Sequence, residues 1–222
     1  MKVCQLCDQL GCSNQSAEWN KPLFESPNFV VLPSLGALVE GWLLLVPKKH
    51  YICFGAMPSS LDFEMSKLKD FVRSVLEQHY GQIWAFEHGP HKPNCDVGCS
   101  VDHAHLHLVP LKFDLVSAMD SFLPQAASWI EANPNECRAS YGRGEDYLYL
   151  EHPTGKTQMI SHSGIGSQLF RRAIAAQIGI PQQFNWRHYP QLGNVSATID
   201  NLKAKANDGS TYSCKSLAKI AA

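Results

Sequence analysis

Apolar residues recur at every second position in two early stretches, FESPNFVVLPS and LVEGWLLLVPKKHY, through Phe29, Val31, Trp42, Leu44 and Val46. That period turns one face of an extended chain toward a core, so both stretches are expected to be strands, joined by a Gly-containing turn and paired antiparallel. The period then changes. Over SSLDFEMSKLKDFVRSVLEQHYG, Phe63, Leu68, Phe71, Val72 and Val75 form a helical stripe, Ser59 and Asp62 stand in a capping-box pattern, and Gly81 can end the helix. QIWAFEHGP is expected to be a strand entering a turn, HKPNCDVGCS a loop, and VDHAHLHLVPL a further strand, which closes a β-α-β-β unit.

From about Lys112 the pattern is different. LVSAMDSFLPQAASWIEAN reads as helical, DYLYLEH and KTQMISH as a strand pair, and SQLFRRAIAAQIG as a helix stopped by Gly179 and Pro181. The tail KAKANDGSTYSCKSLAKIAA has the polarity of a mobile terminus. The expected organisation is therefore an α+β protein with one domain over residues 1–115 and an α+β extension or subdomain over 116–222.

Charge narrows the partners. In 222 residues, 19 basic and 20 acidic side chains leave a net charge of -1, so no global basic field draws the chain to nucleic acid or a membrane surface. An anionic ligand must be held by local donors. The start, MKVCQLCDQLGCSNQ, has no apolar signal core, and the longest apolar run, ALVEGWLLLVP, is interrupted by Glu40 and too short to span a bilayer. A cytoplasmic location is expected, and there the 8 cysteines favour reduced thiols, metal binding or redox work over disulfides.

The sharpest chemical signal is VDHAHLHLVP. On a strand, His103, His105 and His107 share a face, while Ala104, Leu106 and Leu108 point into the core. Three imidazoles in register can bind one metal, or can divide the work of nucleophile and orienting groups around a phosphate.

The stretch fits H-φ-H-φ-H-φ-φ, and with FVVLPSLGALVEGWLLLVPKKH, FEHGP and GCSVDHAHLHLVP the first half of the chain resembles the histidine-triad (HIT) superfamily. The resemblance implies a HIT-like antiparallel sheet with a covering helix and a nucleotidyl hydrolase or transferase acting at a nucleotide α-phosphate. Carried over by residue, it makes His105 the nucleophile that forms a nucleotidyl-histidine intermediate and His107 a donor to a phosphate oxygen. Ser100 and the backbone of Gly98 and Cys99 would meet the phosphate, although many relatives have Gln where Cys99 stands. Ser34 falls where relatives hold ribose hydroxyls with Asp or Asn, and Glu87 would bind a ribose hydroxyl or orient a histidine.

A lone C-x-x-C pair is compatible with redox work, with two ordinary cysteines, or with half of a tetrahedral zinc site. Resemblance to the zinc-containing branch of the superfamily implies a closed structural zinc on Cys4, Cys7, His50 of PKKH and His103. Cys12, Cys95 and Cys99, with His88 or His91, bring more ligand types nearby at no standard metal spacing. In the second half, a Gly-containing loop precedes a helix whose Arg171 and Arg172 could reach an anion. Trp186, Arg187, His188 and Tyr189 could stack on a base or close over a cleft.

The functional expectation is a zinc-containing enzyme that takes a nucleotide or dinucleoside polyphosphate, with no membrane or nucleic-acid partner and a homodimer compatible with the resemblance. Its rivals are a three-histidine metallohydrolase and a non-catalytic nucleotide-binding or interaction module.

Overall fold

The computed structural model of the protein describes residues 4–11, 17–95, 97, 101–162 and 165–207, the last four by backbone alone. Strands β1 (Phe24–Glu25), β2 (Phe29–Pro33), β3 (Leu43–Pro47), β4 (Ile83–Gly89), β5 (Leu106–Pro110), β6 (Ile130–Glu131), β7 (Tyr147–Glu151) and β8 (Thr157–Ser161) form one sheet. Its order is β1-β2-β3-β5-β4-β7-β8-β6, and every neighbouring pair is antiparallel. The helices are α1 (Gln5–Leu10), α2 (Asp62–Tyr80), α3 (Leu115–Met119), α4 (Pro134–Gly142), α5 (Leu169–Gln177) and α6 (Leu192–Asn207). The fold class is α+β, as the periodicities predict.

The sheet is apolar on both faces, so both are covered. On one face Phe29, Val31, Leu43, Leu45, Leu106 and Leu108 pack with Leu68, Val72, Val75 and Leu76 of α2. On the other, Trp84, Phe86, Leu148 and Leu150 pack with Leu169, Phe170, Ala173 and Ile174 of α5, while Leu6 of α1 lies with Val30, Leu32 and Val46. The one-sided burial expected of β2 and β3 is thereby corrected, since α1 covers what would have been a solvated face.

Helix α2 and the strands around it follow the sequence expectation closely, with two exceptions. Phe63 is 65% exposed and does not belong to the buried stripe. The Ser59–Asp62 capping box does not form either, because a 3-10 turn over Ser59–Leu61 leads into the helix and the Asp62 carboxylate pairs with Arg138 of α4 instead. The box appears at α4, where Asn133 and Glu136 cap reciprocally.

The second half departs further. Only Leu115–Met119 of the long stretch expected to be helical is so, while α4 and α6 arise where no helix was expected. Strand β7 pairs with β4 in the register Phe86↔Leu150, so the sheet runs without a break across the boundary expected near residue 115. Ion pairs on the α2 face reinforce this: Glu151 of β7 meets Lys69 and Arg73 of α2, each at 2.6 Å. Among the described residues, no helix is long and apolar enough to cross a membrane.

Where β4 ends, Gly89 lies beneath the buried Tyr147 ring, and a Cβ there would stand 2.1 Å from Tyr147 Cζ. Tyr147 cannot yield easily, because its hydroxyl accepts from the Gly55 N–H and donates to Glu87. Gly89→Ala is expected to lower stability by about 2–3 kcal/mol in denaturant titrations; an unchanged midpoint would show that the ring can move.

Candidate active site

Antiparallel pairing fixes what faces the α1 and α5 side. The register Leu32↔Leu44, Leu44↔His107 and His107↔Phe86 lays one row of side chains across four strands, with His107 between two apolar neighbours. Ladder pairing of β5 begins only at Leu106, but the alternation extends back to His103, and Ala104 joins the core on the α2 face. The shared histidine face is present, although the paired strand is shorter than expected.

A cleft of about 260 Å³ opens on this face. His105, His107, Ser34, Leu32 and Leu44 line it, together with Gln5, Leu6, Asp8 and Gln9 of α1, Trp19 near the N-terminus, and Arg171 and Trp186 from the second half. Ser34 is buried, with 2% exposure. Gly36, at φ +78, lets Trp186 close in, since a Cβ there would lie 2.4 Å from Trp186 Cβ.

The two histidines in the cleft have complementary tautomers. His105 Nδ1 lies 2.6 Å from the carbonyl oxygen of His103, which can only accept, so Nδ1 carries the proton and Nε2 the lone pair. At His107 the roles reverse: the Trp42 indole N–H donates to Nδ1 at 3.0 Å, which leaves the proton of the neutral ring on Nε2. The rings are 4.9 Å apart at an interplanar angle of 72°. Burial lowers the pKa of both, and at His107 the nearby His105, His88 and Arg171 lower it further. Both rings are therefore neutral near pH 7.

Two groups near this pair were not singled out from sequence as parts of it. Trp42 was read as a core residue, yet it also lies 5.0 Å below the Arg171 guanidinium. Arg171 in turn donates to the carbonyls of Gly36 and Phe184. His88 was considered only for a second metal, yet the Trp84-Phe86-His88 alternation carries it to the His107 face, 6.3 Å between ring centroids. Burial, with His105 and Arg171 nearby, holds its pKa down to about 3.

Glu87 is a correction. As the neighbour of Phe86 and His88 it points to the opposite face, where it accepts from the Phe54 N–H at 2.6 Å and the Tyr147 hydroxyl at 2.7 Å. It touches neither histidine nor the cleft. Gly98, Cys99 and Ser100 lie outside the described residues, as do Cys12, Ser163 and Gly164.

Beside the cleft, Cys4, Cys7, His50 and His103 bring four ligand atoms within 4.8 Å of one another. Cys7 Sγ is 3.3 Å from His50 Nδ1 and 3.4 Å from His103 Nδ1, and Cys4 Sγ is 3.5 Å from His103 Nδ1. A tetrahedral zinc ion, with bonds of about 2.3 Å to sulfur and about 2.0 Å to nitrogen, holds such ligands about 3.5 Å apart. The residues fit the ion. His103 also directs Nε2 to the carbonyl of Pro47 at 2.8 Å, the kind of outer bond that reserves the other ring nitrogen for a metal. Neither His105 nor His107 belongs to a candidate metal cluster among the described residues, which removes the geometry for a three-histidine catalytic metal.

No family model and no curated protein matches the chain. Among solved structures it is similar to a hypothetical histidine triad nucleotide-binding protein from Sulfolobus tokodaii strain7, with 14% identity and a TM-score of 0.40 over 63% of this chain and 93% of that one. It is also similar to a hypothetical protein from Leishmania major, with 15% identity and a TM-score of 0.40 over 63% and 92% of the two chains. A third similar structure is yeast Ap4A phosphorylase, with 15% identity and a TM-score of 0.43, of which the chain spans 62% while 69% of its own length is covered.

A pH dependence follows from Glu87. Burial raises its pKa from the ordinary 4.5 to about 7, outweighing the two hydrogen bonds, which lower it. The folded state therefore holds an extra proton between those values, and stability falls as pH rises from about 4.5 to about 7. Glu87→Gln is expected to flatten this slope in denaturation midpoints measured at about pH 5 and about pH 8. An equal slope in the variant would assign the dependence to other groups.

Proposed function

We propose that the protein is a nucleotidyl hydrolase or transferase of the histidine-triad type, acting at the α-phosphate of a nucleotide or dinucleoside polyphosphate. The observation that carries this reading is the pair of opposed tautomers in one cleft: a lone pair on His105 Nε2 beside an N–H on His107 Nε2. His105 Nε2 attacks phosphorus and the bond to the leaving group breaks, giving a nucleotidyl-His105 intermediate. Water or another acceptor then attacks the same phosphorus and releases His105; with water the product is a nucleoside monophosphate. His107 donates to a phosphate oxygen whose charge grows in each transition state.

Other groups support an anionic, nucleotide-sized ligand. Arg171 brings a fixed positive charge to the wall, Ser34 offers a hydroxyl for ribose, and Trp19 and Trp186 provide aromatic surface for a base. Ser100 with the backbone of Gly98 and Cys99 completes the phosphate contacts in this reading. Residues 116–222 serve as the extension that supplies Arg171 and Trp186.

Cys4, Cys7, His50 and His103 would hold zinc. Held there, zinc would pin the N-terminal segment to the histidine strand and fix the orientation of His103, a role in folding and preorganisation. His103 is bonded through its own carbonyl to His105 Nδ1, so the ring that anchors the metal and the ring that attacks phosphorus are coupled through one residue.

The chain should be incubated with dinucleoside polyphosphates, adenosine phosphoramidate, adenylylsulfate and nucleotide sugars, with products and any trapped nucleotidyl-histidine identified. His105→Ala should lower kcat at least about ten-thousandfold without loss of fold, and His107→Ala by about a hundredfold to a thousandfold. Full activity in the His105 variant would overturn the mechanism. Cys7→Ala should lose one equivalent of zinc in metal analysis and at least about 2 kcal/mol of stability; a variant that keeps both would remove the metal assignment.

A further inference from the structure

We propose that His91, Cys95 and Asp146 form a second divalent-metal site, of zinc type, with one coordination position left open to solvent. The three residues come from two segments that the sheet brings together. Strands β4 and β7 pair as far as Gly89↔Tyr147, so His91 emerges beside Asp146 just past the last rung. The chain then turns back through Asn94, at φ 59, whose N–H is held by the Asp102 carboxylate at 3.2 Å. That turn returns Cys95 to His91, with Sγ 3.7 Å from Nδ1.

One ligand atom from each residue lies within 4.8 Å of the other two. His91 Nδ1 and its backbone N–H are 2.7 and 2.8 Å from Asp146 Oδ1, and both side chains are partly buried. A hydrogen-bonded His–Asp pair explains that contact by itself, but it does not explain a thiol brought to the same nitrogen. The set of imidazole, thiolate and carboxylate is chemically selective. It suits Zn²⁺ or Co²⁺, whereas Mg²⁺ and Ca²⁺ take oxygen ligands. Thiolate and carboxylate together also balance the charge of a divalent ion.

Loading the site balances simply. The ion displaces the proton of the Cys95 thiol to solvent, while the His91 proton moves from Nδ1 to Nε2 as Nδ1 becomes a ligand, so one proton is released per ion. Among the described residues three ligands converge, which leaves the fourth position for water or a small anion. His91, Cys95 and Asp146 line a cavity together with Ser161 and His162, at the end of the sheet where the triad strand begins. The site shares no residue with Cys4, Cys7, His50 and His103, so each can be emptied alone.

The test uses the full chain equilibrated with Co²⁺ or Zn²⁺ and dialysed against metal-free buffer. Metal content should be one equivalent higher in the wild type than in Cys95→Ser or His91→Ala, with unchanged far-ultraviolet circular dichroism. In a Cys4→Ser/Cys7→Ser background, Co²⁺ should still give a thiolate charge-transfer band, and adding Cys95→Ser should abolish it. Equal metal content in the wild type and both single variants, or a band that survives Cys95→Ser, overturns the proposal. If either substitution unfolds the chain, Asp146→Asn serves instead, with at least a tenfold loss of Co²⁺ affinity expected and an unchanged affinity counting against the site. Loss of turnover in His105→Ala has no bearing on these readouts, so this inference stands or falls apart from the proposed activity.

Discussion

The indole N–H of Trp42 on Nδ1 of His107 is the bond on which the arrangement of the cleft turns. A neutral imidazole has one donor and one acceptor, and this bond consumes the acceptor, so whatever meets the other nitrogen meets a hydrogen. Trp42 is itself fully buried, edge-on to Phe86 and capped by the Arg171 guanidinium. One buried ring thus sets the tautomer of His107 and seats the cation contributed by the second half. At His105 a backbone carbonyl does the equivalent work with the opposite result.

Low polarity then acts on both rings alike. Burial penalises an imidazolium at both, His107 lying between Leu44 and the stacked Phe86 ring, and the Arg171 charge adds to the penalty at His107. A charged His105 would have no lone pair to offer, so the same apolar lining that shapes the floor of the cleft also keeps its nitrogen available. His88 is subject to the same pressure, which leaves it a neutral ring packed against Phe86, His107 and Phe170.

Much of the first half was legible because its signals are local. Alternation in VDHAHLHLVP was enough to place His105 and His107 on one face and Leu106 and Leu108 on the other, and α2 ends at Gly81 as its stripe predicts. Glu87 was misread because resemblance placed it by motif, whereas strand parity assigns it to the face opposite His88; counting from Phe86 would have shown this. Phe63 fits the apolar spacing only loosely: it stands nine residues, two and a half turns, before Val72 and so lies on the opposite, solvent side of the helix, while Leu61 and Met65 beside it pack on the core. Local pattern marks Arg171 as a candidate for an anion and Trp186 for a base, but not that both reach the histidine cleft, which depends on β7 joining β4 and on Gly36 admitting a distant side chain. The early helix α1 was hidden for a related reason: six residues have little helical preference of their own, and the Cys4–Cys7 segment is held by what it packs against.

The adjacency of β4 and β7 has a consequence for how the molecule would tolerate being nicked. A cut in the long connection between β5 and β7 would yield two fragments, one owning the histidines and the other owning the arginine and tryptophan that enclose them. The first would present Trp84 and Phe86 to water along an unsatisfied strand edge. Neither piece alone would possess a closed cleft, yet the same exposed edge is the template on which the two could reassemble.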